Sequence, residues 1–349
     1  MSHLTYAEAI VVGLIQGVSE LFPVSSLGHN VLIPALIGGS WANDLSVARP
    51  ESPYLAFIVG MHVATAIALM IYFWRDWIRI IGGFFTSLRH WQGWHPRVAT
   101  RDEKLAWIII LATIPVGLVG LVGEHTFRVL FGKPILAAVF LIVNGLILYC
   151  GEKFRSRASL RADQVVAAQR GGALPAGGPG PEDGTLAAAD PGDPAAPARH
   201  AAGHQVVRAD EISHALASDE RLGQMGFGEA LIIGASQILA LFAGISRDGV
   251  TMVTGMARGL SREDAARFAF LLATPVILAA GVLKVPDLTG PLDNGIHGQV
   301  LLGSILSGLG AYVSVRFLVR YFQTRTLYPF AIYCFVFGLL SVIYLGGIK

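Results

Sequence analysis

Charge is what this chain has least of. Asp, Glu, Lys and Arg make up 14% of its 349 residues, against roughly 25% in soluble globular chains, while hydrophobic residues reach 53%. A water-soluble domain is excluded and an integral membrane protein is implied. Cysteine is almost missing: Cys150 and Cys334 sit in separate apolar runs without metal-ligand spacing, which excludes a disulfide framework and reads as small core residues. No basic region precedes the first apolar stretch, and a polar break interrupts it where a signal peptide would run on to a cleavage site, so no cleaved leader is expected. The formal net charge is only +2, and the basic residues gather at the ends of apolar runs, so nucleic acid is not a predicted partner.

What is there in quantity is apolar sequence. Long runs cover 54–73, 105–122, 135–150, 268–283, 300–318 and 328–345, most of them close to the ~20 residues that a spanning helix needs. Six spans are predicted. Arg75, Arg79, Arg89, Arg97, Arg101 and Lys104 lie between the first two, and Lys153, Arg155, Arg157 and Arg161 follow the third. Two spans separate those segments, so both fall on one side, which the positive-inside rule makes cytoplasmic. Arg316, Arg320 and Arg325 fall on that side too, whereas 285–299 holds no Lys or Arg and is placed outside. Both termini are then outside. Residues 151–225 are rich in Ala, Gly and Pro and are expected to form a disordered cytoplasmic linker, with 210–222 read either as a short amphipathic helix or as more linker.

An internal repeat organises the rest. EAIVVGLIQGVSELFPVSSLG at 8–28 returns as EALIIGASQILALFAGISRDG at 229–249, pairing Glu8 with Glu229, Gly13 with Gly234, Gln16 with Gln237, Ser25 with Ser246 and Gly28 with Gly249. Each copy breaks after a few apolar turns at a polar, Gly-containing tip, too early to span, and irregular backbone at membrane depth survives only where it faces protein or water. The expected architecture is all-α, with two inverted-topology repeats, 1–150 and 226–349, each a re-entrant pair (7–38 and 227–260) followed by three spans. Three spans between the copies invert the second. The two tips should then meet near the midplane.

Ionisable groups inside apolar segments are costly and mark substrate or ion paths. The first tip carries Glu20, Ser25, Ser26 and His29, and the second Ser246, Arg247, Asp248 and Thr251. Singly, each has a structural role open to it: a serine as helix cap, His29 as a satisfied polar residue, Arg247 as a buried bridge to Glu20 or Asp248. Together they suit a phosphorylated ligand. An Arg fork grips phosphate oxygens bidentately, hydroxyls and free backbone N–H groups donate to them, and half-helix N-termini add positive potential. Glu20 would repel phosphate unless a divalent cation lies between them, Mg²⁺ or Ca²⁺, so Glu20 is also the expected metal ligand. His62 has no ionisable partner at helical spacing and reads as a packing residue, and Glu124 and His125 receive no role.

QGVSELFPVSSLGH at 16–29, AGISRDGVT at 243–251, SREDAARFAFLLATP at 261–275 and PFAIY at 329–333 resemble the undecaprenyl-diphosphate phosphatases, the bacitracin-resistance family of bacterial inner membranes. The resemblance covers about 1–150 and 226–349. It implies hydrolysis of undecaprenyl diphosphate to the monophosphate and inorganic phosphate, which recycles the lipid carrier of cell-wall synthesis, at a site opening to the outer face. By the same resemblance Gln16 and Glu20 occupy the acidic motif, Ser26 and His29 the serine and histidine positions, and Ser246, Arg247, Gly249 and Thr251 the phosphate-binding motif, with Ser25, Gly28 and Asp248 beside the substrate. The chain departs from the pattern at Gln16, where an acid is replaced, at Ala243, which replaces a proline, and at Asp248, which replaces a serine. Its linker is also longer.

Two nucleophiles are compatible with these residues: Ser26 with His29 as base, or water activated by His29. The expected partners are the bilayer and a polyprenyl diphosphate lipid, and a homodimer is left open. A transporter of polyprenyl phosphate fits the same architecture, as does a non-catalytic lipid-phosphate-binding relative. The type-2 phosphatidic acid phosphatase signature is excluded, since its histidine position is occupied by Val253.

Overall fold

The computed structural model describes residues 4–45, 53–89, 98–131, 133–170, 217–288 and 295–347. Among the described residues every regular element is helical. The first part of the chain forms α1 (Tyr6–Ser19), α2 (Ser26–Ile37), α3 (Gly39–Asp44), α4 (Pro53–Tyr72), α5 (Trp74–Arg89), α6 (Arg101–Phe131) and α7 (Pro134–Arg170). The second forms α8 (Ala217–Gln224), α9 (Phe227–Ser236), a 3₁₀ turn (Gln237–Leu241), α10 (Arg247–Ala257), α11 (Arg262–Leu288), α12 (His297–Thr324) and α13 (Tyr328–Gly347).

Among the described residues five helices are long and apolar enough to cross a membrane: Arg101–Gly123, Pro134–Arg157, Arg262–Gly281, His297–Thr324 and Tyr328–Gly347. They correspond to five of the six expected spans. The remaining one, α4, stops at Tyr72 and turns by 87° into α5. Chain length alone carries no signal for that bend; the physical cue is that FWRDW places charge and indole rings where the apolar run ends, as at a membrane interface. α7 also differs from expectation. It remains helical from Gly151 to Arg170, because that stretch lacks proline and is dominated by good helix formers until the Gly171-Gly172 pair. Residues 171–216 of the expected linker lie outside the described residues.

The two broken segments begin alike. Glu8 closes a capping box with Thr5, accepting from the Thr5 amide at 2.8 Å, and Glu229 accepts from the Gly226 amide at 3.0 Å. Each then lies against a long helix of the other half at backbone distance. A Cβ on Gly13 would come within 2.7 Å of the Gly303 carbonyl oxygen in α12, and one on Gly234 within 2.1 Å of the Ala112 oxygen in α6. α7 and α13 pack reciprocally, Gly145 against Ala331 and Gly338 against Ala138. Phe57, Phe268 and Phe322 fill the centre with almost no exposure, while Leu118, Val313 and Ile343 are about 60% or more exposed on the outer flanks, the inside-out distribution that a lipid solvent permits.

One end of the bundle is closed by ion pairs between segments that the charge distribution had put on a single side. Arg79 bonds Asp76 at 2.5 Å and also Asp219. Arg101 meets Glu220 at 2.7 Å, Arg267 meets Asp76 and Asp219, and Arg262 meets Glu152, which also accepts from the Leu327 amide at 3.1 Å. The starts of α5, α6 and α11, the apolar limit of α7 and the start of α13 therefore share that end.

Candidate active site

Both tips are built on one local device. In the first, Ser25 caps α2 by accepting from the Gly28 amide at 3.2 Å; in the second, Ser246 caps α10 by accepting from the Gly249 amide at 3.1 Å. A side-chain oxygen satisfying a first-turn N–H is the ordinary economy of a helix start. The tips touch. Gly244 donates from its amide to Ser25 Oγ at 3.2 Å, and a Cβ on Gly28 would lie 3.0 Å from the Gly244 Cα. Gly244 takes φ +109, and a side chain there would also strike the Ala137 oxygen of α7. Ser25 holds φ +69, the one non-glycine positive φ among the described residues, so the contact between tips is made by strained backbone that its surroundings over-determine.

Glu20 is the meeting point of the side chains. Its Oε1 accepts from Arg247 Nη2 at 2.6 Å, and its Oε2 accepts from Gln16 Nε2 at 2.9 Å and from the Ser26 hydroxyl. His62 of α4 places Nε2 at 3.3 Å from the same Oε2. The other ring nitrogen, Nδ1, lies 2.8 Å from the Ile58 carbonyl, which orients Nε2 toward Glu20 and Gln16. Gln16 is further fixed by Asn30, which donates to its Oε1 at 2.6 Å. Glu20, Ser25, Ser26, His62, Ser246 and Arg247 line a cavity of about 350 Å³ together with Gln237, and its remaining wall is apolar: Ile58, Val116, Leu241 and Ile277 among others.

The structure thus joins Glu20, Ser26, Gln16, Ser25, Ser246 and Arg247 as the sequence had grouped them. It does not bring the His29 ring into the cavity that they line or flank. Nδ1 of His29 is bonded to the Ser25 carbonyl and Nε2 to the Tyr333 hydroxyl, each at 2.7 Å, and its ring stacks with Tyr333 and Phe337. His29 is absent from the cavity wall. Thr251 spends its hydroxyl on the Arg247 carbonyl, 2.8 Å away, and Gly28 and Gly249 act through their backbone as cap partners. Asp248 is 1% exposed, lies 3.8 Å from Arg247 Nε and, among the described residues, makes no hydrogen bond through either oxygen.

Three residues of the arrangement went unassigned in the sequence reading. His62 has no ionisable partner at helical spacing on its own helix; its partner, Glu20, comes from another element. Gln237, the repeat counterpart of Gln16, lines the cavity with its Oε1 unbonded among the described residues, and the repeat pairing is the signal for it. Asn144 stands in the middle of the apolar run LIVNGLIL, where a polar residue is itself the signal.

A guanidinium, a carboxylate-bonded hydroxyl and an imidazole gathered on the wall of a largely apolar cavity can bind a phosphate and present an oxygen nucleophile to it. Comparison with known proteins agrees in kind. The family described as bacitracin resistance protein BacA matches residues 9–172 and 198–340. The chain is 55% identical over 345 residues to an undecaprenyl-diphosphatase of Mycolicibacterium paratuberculosis, covering 99% of each chain. It is 54% identical over 345 residues, 99% of each chain, to an undecaprenyl-diphosphatase of Mycobacterium avium. To undecaprenyl-diphosphatase 2 of Frankia alni it is 51% identical over 350 residues, 98% of each. Both tips fall within the matched segments, and the matches run nearly end to end, so the chain belongs to the bacitracin resistance protein BacA family.

Proposed function

We propose that this chain is a membrane phosphatase that hydrolyses undecaprenyl diphosphate to undecaprenyl phosphate and inorganic phosphate, returning the lipid carrier to cell-wall synthesis. The observation that carries this reading is the contact of Arg247 and Ser26 with one carboxylate, Glu20, across two tips, beside a cavity whose apolar wall suits the first isoprene units of a lipid. Arg247 would exchange its bond to Glu20 for the terminal phosphate, and the N-termini of α2 and α10 would add positive potential to the same point. Ser26 Oγ attacks the terminal phosphorus while Glu20 takes its proton, the bond to the bridging oxygen breaks, and undecaprenyl phosphate leaves; water then hydrolyses the phosphoserine. Here the base is Glu20, already bonded to the hydroxyl, in place of His29, whose nitrogens are both engaged. Catalysis of this type is positioning plus charge stabilisation in a site with little bulk water.

A divalent cation, Mg²⁺ or Ca²⁺, belongs to the same proposal. Among the described residues no three His, Cys, Asp or Glu side chains cluster to hold one. Glu20 fits as a single carboxylate ligand only if substrate phosphates complete the shell, the common arrangement for Mg²⁺. Such a cation would neutralise phosphate charge beside Glu20. The architecture is read as two inverted-topology repeats with termini outside, the segment 151–225 cytoplasmic and the cavity opening outward. Its support is the offset of 221 that relates the two caps, together with the exchanged packing of α1 on α12 and of α9 on α6.

The test is phosphate release from a polyprenyl diphosphate by detergent-purified protein, with and without chelator. Release abolished by chelator is expected; a carrier that moves the lipid without cleaving it yields none.

A further inference from the structure

Asn144 belongs to neither tip, yet it holds both. It lies in α7 with no exposed surface. Its Nδ2 donates to the Pro23 carbonyl at 3.0 Å, and its Oδ1 accepts from the Ser246 amide at 3.0 Å. Pro23 is in the turn between Glu20 and Ser26, and Ser246 is the cap that immediately precedes Arg247. The same stretch of α7 bears on both tips sterically: a Cβ on Gly244 would meet Ala137 and Leu141, and one on Gly249 would meet Leu148 at 3.1 Å. These α7 residues and Asn144 follow one helical face at spacings of three and four.

The two partners are main-chain groups of opposite kind, an acceptor on the first tip and a donor on the second. A carboxamide presents one of each in a fixed plane, and water at this depth cannot replace either bond. We propose that Asn144 is a positioning residue of the site: by holding the Pro23 carbonyl and the Ser246 amide at once, it sets the Arg247 guanidinium against Glu20 and Ser26. The inference rests on the phosphatase reading, in which those three groups must converge on one phosphorus, and where a displacement of about 1 Å costs on the order of 10²-fold in rate.

The experiment is steady-state hydrolysis of polyprenyl diphosphate by full-length Asn144→Ala and Asn144→Asp, each made also in an Arg247→Lys background, with Cys334→Ala as control for the sulfur that Asn144 also touches at 3.3 Å. In the native background kcat is expected to fall about 30-fold or more with KM within about threefold, as loss of alignment requires. In the Arg247→Lys background the same change should cost less than about threefold, because the group being aimed is already gone. Cys334→Ala should keep native kcat. Equal losses in both backgrounds, a native kcat in Asn144→Ala, or a loss in Cys334→Ala matching that of Asn144→Ala each overturn the proposal. Should Asn144→Ala not accumulate as folded protein, the isosteric Asn144→Asp decides by the same criteria. Native protein that releases no phosphate overturns the phosphatase reading and this one with it, whereas an active native protein beside an unimpaired Asn144→Ala overturns this one alone.

Discussion

Arg247→Ala is expected to lower kcat/KM for polyprenyl diphosphate by about 10³-fold or more, the scale on which a phosphate-gripping arginine acts in phosphoryl transfer. Two effects combine. The substrate loses its guanidinium, and Glu20 loses the cation at 2.6 Å while remaining 5% exposed, so a buried carboxylate is left with only Gln16, Ser26 and His62 to hold it. Removing one partner of a buried pair costs about 3–5 kcal/mol, so part of the loss should appear as reduced thermal stability in detergent. Arg247→Lys restores charge without the planar fork and is expected to recover only a small part of the rate. Turnover by Arg247→Ala near the native value would remove the second tip from the chemistry.

Ser26→Ala is expected to lower kcat by about 10³-fold or more, as removal of a covalent nucleophile does, and to abolish acid-stable labelling of the protein from terminally labelled diphosphate. His29→Ala is the contrasting variant. With its nitrogens bonded to Ser25 and Tyr333 and its ring stacked on Phe337, His29 supports α2 against α13, and its loss should lower stability while leaving kcat within about tenfold. Rapid acid quench during turnover separates the cases. Label trapped on native protein and missing from Ser26→Ala supports the serine; full turnover with no trapped label assigns the attack to water. A collapse of kcat in His29→Ala at unchanged stability would return the base to His29.

The tips were legible because polarity inside apolar sequence is expensive and because it occurred twice in register: Ser25 with Gly28 and Ser246 with Gly249 could be paired before any helix was seen. Their contact was legible in outline, and the Arg247 to Glu20 bond was among the expected pairs. What stayed hidden depends on partners with no trace in the local sequence. His62 looked isolated along its own helix, although it faces Glu20. His29 reads in sequence as a satisfied polar residue or a base, and its partner Tyr333, 304 residues away, leaves no local trace. Asn144 bonds main-chain groups, which carry no residue identity to be matched. The bend after Tyr72 and the helical stretch from Gly151 to Arg170 were missed for different reasons: run length says nothing of direction, and overall composition of 151–225 masked twenty helix-favouring residues that open it.

α7 holds 37 residues, so at 1.5 Å per residue it is about 55 Å long, against roughly 30 Å of hydrocarbon in a bilayer. Its apolar portion ends at Arg157. The remaining turns carry the helix about 20 Å past that limit at 1.5 Å per residue, so α7 is longer than the apolar layer can cover and must end among polar surroundings.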